Sequence, residues 1–229
     1  MIRLGVPSKG RLMEKTFDWF SDRGITLSRA GSDRDYTGSA EGIDGLELVL
    51  LSAGEIPRDL ASGALHLGVT GTDLVREKIG LWDQKIEELE PMGFGGADLI
   101  IAVPDAWVDV TTLGDLDAAA ALFRRTHGQR LRIATKYHRL TREFLRDAGV
   151  ADYRLVDSQG ATEGTVRNET AEAIADITST GETLRANGLR ILEDGLIHAS
   201  QATLLRSRAA DWSGGARPAL KALKQKLGL

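Results

Sequence analysis

The sequence predicts an α/β protein built mainly on parallel strands, and three observations predict it. Short β-like runs alternate with amphipathic segments along nearly the whole chain. Glycine-bearing turns follow several of those runs, which is where parallel α/β sheets open their ligand sites. The composition is globular, 42% hydrophobic and 27% charged, and 229 residues suffice for one large domain or two small ones.

Element by element, Ile2 to Val6 reads as a strand. The segment MEKTFDWFSDRG follows as a helix, with Met13, Phe17 and Phe20 at helical spacing and Gly24 as the stop. Leu46 to Leu51 is a strand, and IPRDLASG is a short helix entered on proline and left on glycine. LHLGVT is a strand and TDLVREKIG a helix closed by Gly80. LIIAV, LRIAT, YRLVD and AIADIT supply later strands, with RLTREFLRDAG as a helix among them. The final RPALKALKQKLGL places Leu220, Leu223 and Leu227 on one helical face. That face either docks on the chain's own domain or meets another subunit.

Several function classes are excluded or disfavoured. The chain has no cysteine, which removes disulfides, zinc–thiolate sites, iron–sulfur clusters and cysteine nucleophiles. No apolar stretch approaches the roughly 20 residues of a membrane span, and the N-terminus lacks a secretory pattern. A cytoplasmic protein without a membrane partner is expected. The net charge of -4 argues against nucleic acid as a partner. It leaves room for anionic small molecules, since a few placed cations make a positive pocket on an acidic protein.

Three turns carry candidate chemistry. In PSKGRL, Lys9 and Arg11 flank Gly10 ahead of a helix, a combination suited to phosphate and equally to a solvated loop. In GVTGTDLVRE, Thr72 or Asp73 either caps the helix or serves a ligand, with Asp73 accepting from an amino group or hydroxyl. In DITSTGETL, an acid at Asp176 is followed by Ser179, Thr180, Gly181 and Thr183. Hydroxyls and outward N–H groups satisfy a phosphate monoester, and glycine keeps bulk away. Asp176 would be repelled by phosphate and instead suits sugar hydroxyls nearby. Acid followed by cup is the shape of a ribose 5-phosphate site; ordinary helix capping is the plainer account.

At IADITSTGETLRANGL the chain resembles the phosphoribosyl-diphosphate signature of the ATP phosphoribosyltransferase family. PSKGRL, EIPRDLASGALHLGVTGTDLVRE, MGFGGADLIIAVP, LRIATKYHRLTREFL and GATEG stand in the family's order. The resemblance implies the short form of the family and a fold like type II periplasmic binding proteins. Residues 1–95 and 186–229 would form lobe I and residues 96–185 lobe II. It implies transfer of phosphoribosyl to N1 of the adenine of ATP with Mg²⁺, in a homodimer within a hetero-oligomer that includes a histidyl-tRNA-synthetase-like regulatory subunit.

By the same resemblance, Asp176, Ser179, Thr180, Gly181, Glu182 and Thr183 would bind phosphoribosyl diphosphate. Lys9, Gly10, Arg11, Arg34, Gly71, Thr72 and Asp73 would bind ATP. Lys9, Arg11, Asp176 and Glu163 would carry catalysis, with Glu163 and Asp176 at the metal. Two departures stand out: Ser52 occupies the position of a common family arginine, with Arg58 nearby, and TVRNETAEA with its Arg167 follows GATEG. A phosphoribosyltransferase for another base, and a non-catalytic two-lobed anion-binding or regulatory protein, remain open at this point.

Overall fold

The computed structural model describes residues 1–31, 37–158 and 160–229. The chain divides into two units, residues 1–96 with 201–229 and residues 97–200. In chain order the first unit opens with β1 (Ile2–Pro7), α1 (Gly10–Ser21), β2 (Thr26–Arg29), β3 (Thr37–Glu41) and β4 (Leu46–Leu51). It continues with α2 (Ile56–Ser62), β5 (Leu67–Gly71), α3 (Thr72–Lys78), α4 (Trp82–Lys85) and β6 (Ile86–Pro91). The second unit holds β7 (Ala97–Pro104), α5 (Leu113–His127), β8 (Leu131–Thr135), α6 (His138–Asp147), β9 (Tyr153–Asp157), α7 (Gly164–Arg167), β10 (Ala173–Thr178), α8 (Glu182–Ala186) and β11 (Leu189–Ser200). The chain then returns to the first unit for β12 (Ala202–Ser207) and α9 (Ala216–Leu227).

Both sheets are mixed, so the parallel part is narrower than the sequence suggests. The first unit's order is β2-β3-β4-β1-β5-β12-β6, and within it only the adjoining β4, β1 and β5 run parallel to one another. The second unit's order is β11-β7-β10-β8-β9, with β10, β8 and β9 parallel. Antiparallel strands flank both cores. The strand–helix–strand units supply the parallel ladders; of the flanking strands local periodicity marks β7, as LIIAV, and misses β2, β3, β6, β11 and β12.

Each unit buries its own core. Leu4, Val6, Phe20, Leu48, Leu50, Val69 and Leu204 are closed off in the first. Ile101, Val103, Leu116, Ile133, Leu145 and Ala175 fill the second. Helix α9 lays Leu223 and Leu227 into the first core, with Leu220 packed beside them, so its apolar face docks on its own unit. Helix α1 starts at Gly10, three residues ahead of the expected Met13, because Lys9 is extended and serves as the N-cap.

The return to the first unit comes at Gln201, against the expected crossover near Arg185. The residues between belong to β11, which pairs with β7 from Leu189↔Pro104 to Ser200↔Ala97. Side chains fasten it further: the Leu113 N–H donates to Asp194 Oδ1 at 2.8 Å, and Arg190 Nη2 donates to the carbonyls of Trp107 and Val110, both at 2.6 Å.

At the start of α5, Thr112 and Asp115 form a reciprocal capping box. The Thr112 hydroxyl, then the N–H groups of Thr112 and Thr111 and the Thr111 hydroxyl, hold the Asp115 carboxyl down at about 2. A depressed folded value contributes stability above the unfolded value, about 3.9, and loses it as pH falls through the folded one. Asp115→Ala is therefore expected to lower the urea midpoint at pH 6. The gap from wild type should narrow as pH drops from about 4 toward 2; a gap unchanged over that range would contradict the assignment.

Candidate functional site

In the second unit the parallel ladder of β10 with β8 ends at Ala175↔Thr135. The rest of β10, Asp176 to Thr178, continues beside β7 alone, so it stands at the carboxyl edge where the sheet opens. A cavity of about 300 Å³ lies there, lined by Glu163, Asp176, Thr178, Ser179, Thr180 and Thr183 among others. Asp176 is half-buried, and its Oδ1 accepts the Ile177 N–H at 2.9 Å. Glu163, the half-buried N-cap residue of α7, comes to the same cavity from a separate turn. Thirteen positions apart in the chain, the two carboxylates share one wall set with four hydroxyls.

Gly181 is required where it stands. Its φ of 70° is left-handed, it is buried, and it N-caps α8. A Cβ built there would lie 2.9 Å from Arg185 Nη1. The turn is partly closed on itself, a correction to the expectation of outward N–H groups. Gly181 N–H donates to Thr178 Oγ1 at 2.9 Å and Glu182 N–H to Thr180 Oγ1 at 3.3 Å. Short hydroxyl side chains stabilise such turns by this local bonding. What the turn offers outward is then chiefly its exposed Ser179, Thr180 and Thr183. It also holds a cation that the sequence does not announce: Arg185 Nη2 donates to the Thr180 carbonyl at 3.0 Å. Its place four residues after Gly181, one helical turn on, is the available signal. Glu182 is exposed and does not line the cavity, and neither does Arg167.

In the first unit the ladder of β1 with β4 ends at Pro7↔Leu51. The Ser8 N–H donates to the Leu51 carbonyl at 2.8 Å just beyond it. A pocket of about 540 Å³ opens there, lined by Ser8, Lys9, Gly10, Met13, Arg29, Ser52 and Glu55. Gly10 has φ 75° and open space at its Cβ position. Arg29, at the end of β2, is a second cation absent from the sequence-based expectation; it donates to the Ser8 carbonyl and reaches Met13 Sδ at 3.3 Å. Nothing in its local pattern marks it, because the contact joins β2 to the turn after β1.

The remaining expected residues are spread around this edge. Arg11 is exposed in the first turn of α1 and does not line the pocket. Gly71 N-caps α3, while Thr72 and Asp73 are buried at 7% and 5% exposure beyond β5, the strand beside β1. Arg34 lies outside the described residues. Arg58 does not fill the place left by Ser52: it is exposed, pairs with Asp59 at 3.0 Å and does not line the pocket. Ser52 turns instead to Glu55, donating from Oγ at 2.8 Å and from N at 3.1 Å to the same Oε2. That hydroxyl, and then that N–H, hold the Glu55 carboxyl below the usual carboxylate range.

Comparison with known proteins adds relatives to this geometry. The family model described as ATP phosphoribosyltransferase matches residues 52–227. A Cereibacter sphaeroides protein named ATP phosphoribosyltransferase is 68% identical over 228 residues, covering 100% of this chain and 96% of that one. A Rhodopseudomonas palustris protein of the same name is 54% identical over 93% of this chain, which spans 66% of its length. Among solved structures, the ATP phosphoribosyl transferase (HisG:HisZ) complex from Thermotoga maritima superposes with a TM-score of 0.75 at 22% identity, covering 100% of this chain and 96% of that one. An ancestral arginine-binding protein does so at 0.54 and 10% identity, covering 99% and 90%. These likenesses show a fold common to transferase chains and to substrate-binding proteins.

Proposed function

The chain belongs to the ATP phosphoribosyltransferase family, and from that premise we propose which residues serve each substrate. The activity is transfer of phosphoribosyl from phosphoribosyl diphosphate to N1 of the adenine of ATP, with release of pyrophosphate, the opening step of histidine biosynthesis. The cavity at the end of β10 takes phosphoribosyl diphosphate. Ser179, Thr180 and Thr183 donate hydroxyls to the 5-phosphate, with Arg185 supplying charge close by. Asp176 accepts from the ribose hydroxyls. The pocket beside β1 takes the phosphates of ATP on Lys9, Gly10 and Arg29, with Arg11 at its approach.

Adenine N1 carries a lone pair, so the reaction needs no strong base to make its nucleophile. As the C1–O bond breaks, pyrophosphate leaves with the bonding electrons and N1 closes on C1. Positioning and charge stabilisation carry the catalysis. Asp176, beside the ribose, stabilises the positive charge that develops on the sugar. Glu163 and Asp176 in one cavity fit Mg²⁺, a hard cation that takes one or two carboxylates and completes its shell with substrate oxygens and water. When bound, the ion neutralises charge on the diphosphate.

The observation that carries this reading is the convergence of two carboxylates and four hydroxyls from separate segments on one cavity. We further propose a dimeric catalytic subunit working in the cytoplasm with a histidyl-tRNA-synthetase-like regulatory protein. The two-protein Thermotoga complex supports it. Among the described residues no helix is long and apolar enough to cross a membrane. The test is to mix the chain with ATP, phosphoribosyl diphosphate and Mg²⁺, with and without that partner, and follow the ultraviolet change of N1-substituted adenine. Product formation is expected. Pyrophosphate release with another base and none with ATP would overturn the substrate assignment, and ligand binding without turnover in either condition would overturn the catalytic one.

A further inference from the structure

The pocket beside β1 contains one residue of the wrong sign for a phosphate site. Lys9 and Arg29 line it with positive charge, and Glu55 lines it with negative charge. A carboxylate repels phosphate, so Glu55 is either a solvated wall or an acceptor for some other part of the ligand. Its geometry favours an acceptor. Oε2 is held at a fixed place by the Ser52 hydroxyl at 2.8 Å and the Ser52 N–H at 3.1 Å. Ser52 is itself anchored at the strand end, because Glu55 N–H donates back to its carbonyl at 2.9 Å. The four-residue turn thus closes in both directions. Among the described residues no donor is found on Oε1, which leaves that oxygen available to a ligand.

ATP has donors of two kinds, the ribose hydroxyls and the adenine amino group; its triphosphate has none. With the phosphates on Lys9 and Arg29, the group that adjoins them is the ribose, and the base lies farther along. Glu55 shares one pocket of about 540 Å³ with those cations, so the sugar is the part of the nucleotide that falls within its reach. A carboxylate facing a vicinal diol is a recurrent solution for ribose in nucleotide sites.

We infer that Glu55, positioned by Ser52, accepts hydrogen bonds from the ribose diol of ATP and so selects ribonucleotide in the first unit's pocket. Serine at position 52 fits this role where an arginine would not. An arginine beside Glu55 would pair with the carboxylate and compensate its charge, whereas a serine holds it by hydrogen bonds and adds no paired cation. Ser52 is in this account a positioning residue, and Glu55 the one that touches substrate.

The inference rests on the proposed nucleotide role of this pocket, and the test separates the two. Steady-state assays of wild type, Glu55→Gln and Ser52→Ala are run with ATP and with 2′,3′-dideoxy-ATP, alongside calorimetric titration with phosphoribosyl diphosphate. Glu55→Gln is expected to raise KM for ATP about tenfold, the size of one lost charge-assisted hydrogen bond. Ser52→Ala should give a smaller rise of the same kind. With 2′,3′-dideoxy-ATP wild type and both variants should converge, and affinity for phosphoribosyl diphosphate should stay at the wild-type value. An unchanged KM in Glu55→Gln, or an equal penalty with both nucleotides, overturns the inference while leaving the pocket assignment standing. If Lys9→Ala and Arg29→Ala also leave KM for ATP unchanged, the pocket assignment falls and this inference with it.

Discussion

Asp176→Asn is expected to lower turnover by about 100-fold while the melting temperature stays within a degree or so of wild type. The substitution keeps shape and one acceptor oxygen but removes the charge. In the resting fold that charge does little, since Oδ1 accepts one N–H from the adjacent Ile177, which an amide oxygen serves as well. Against the ribose the change is large. A carboxylate–hydroxyl bond is charge-assisted and roughly twice as strong as its neutral counterpart. The carboxylate also opposes the positive charge that grows on the sugar as the C1–O bond lengthens, and removing one such stabiliser typically costs a factor of about 100 to 1,000. The checks are a kcat measurement and a thermal melt on one preparation. Wild-type turnover would mean that Asp176 is only a link in β10.

Gly181→Ala is expected to weaken phosphoribosyl diphosphate binding by more than about tenfold, with a modest loss of stability. Two effects act together. At φ 70° an alanine costs about 1–2 kcal/mol of backbone strain. The new methyl also stands 2.9 Å from Arg185 Nη1, so the guanidinium must leave the Thr180 carbonyl and the cup loses a placed cation. The first effect acts on folding and the second on binding. Gly128→Ala separates them, since Gly128 has the same φ of 70° at the end of α5, with nothing within 4 Å of its Cβ position. Both variants should melt lower than wild type by similar amounts, and only Gly181→Ala should lose affinity in a calorimetric titration. Equal affinity in the two would remove the phosphate from this turn.

How much of this was legible in the sequence depends on the range of the interaction. The DITSTGETL turn is local: the acid, the hydroxyls and the glycine act within a few residues, and their spacing alone suggests a sugar-phosphate site. The strand ends at Pro7, Leu51, Gly71 and Thr178 were likewise marked by apolar runs giving way to small residues. What resisted reading lies between distant segments. Strand β11 alternates irregularly and carries Glu193, Asp194 and His198; it is a strand because β7 offers it an edge, and no local pattern encodes that offer. The expected crossover therefore fell at Arg185 instead of Gln201. Arg29 joins a strand to a turn 21 positions away, so its place in the pocket exists only after folding. Glu163 was expected through family resemblance alone, since its own neighbours mark it no differently from a surface acid; the fold brings it to the cavity wall. The Ser52–Glu55 contact spans three positions and was within local reach. The absent arginine is the more conspicuous feature at position 52, and it masks the serine's own partner.

The proposed place of the ribose 5-phosphate moiety is the turn after β10. A crystal structure of the chain with phosphoribosyl diphosphate and Mg²⁺ tests it most directly. The 5-phosphate is expected within hydrogen-bond distance of the Ser179, Thr180 and Thr183 hydroxyls and the ribose diol on Asp176. Density for the ligand at another place, with the turn from Thr178 to Thr183 still closed on its own side chains, would contradict it.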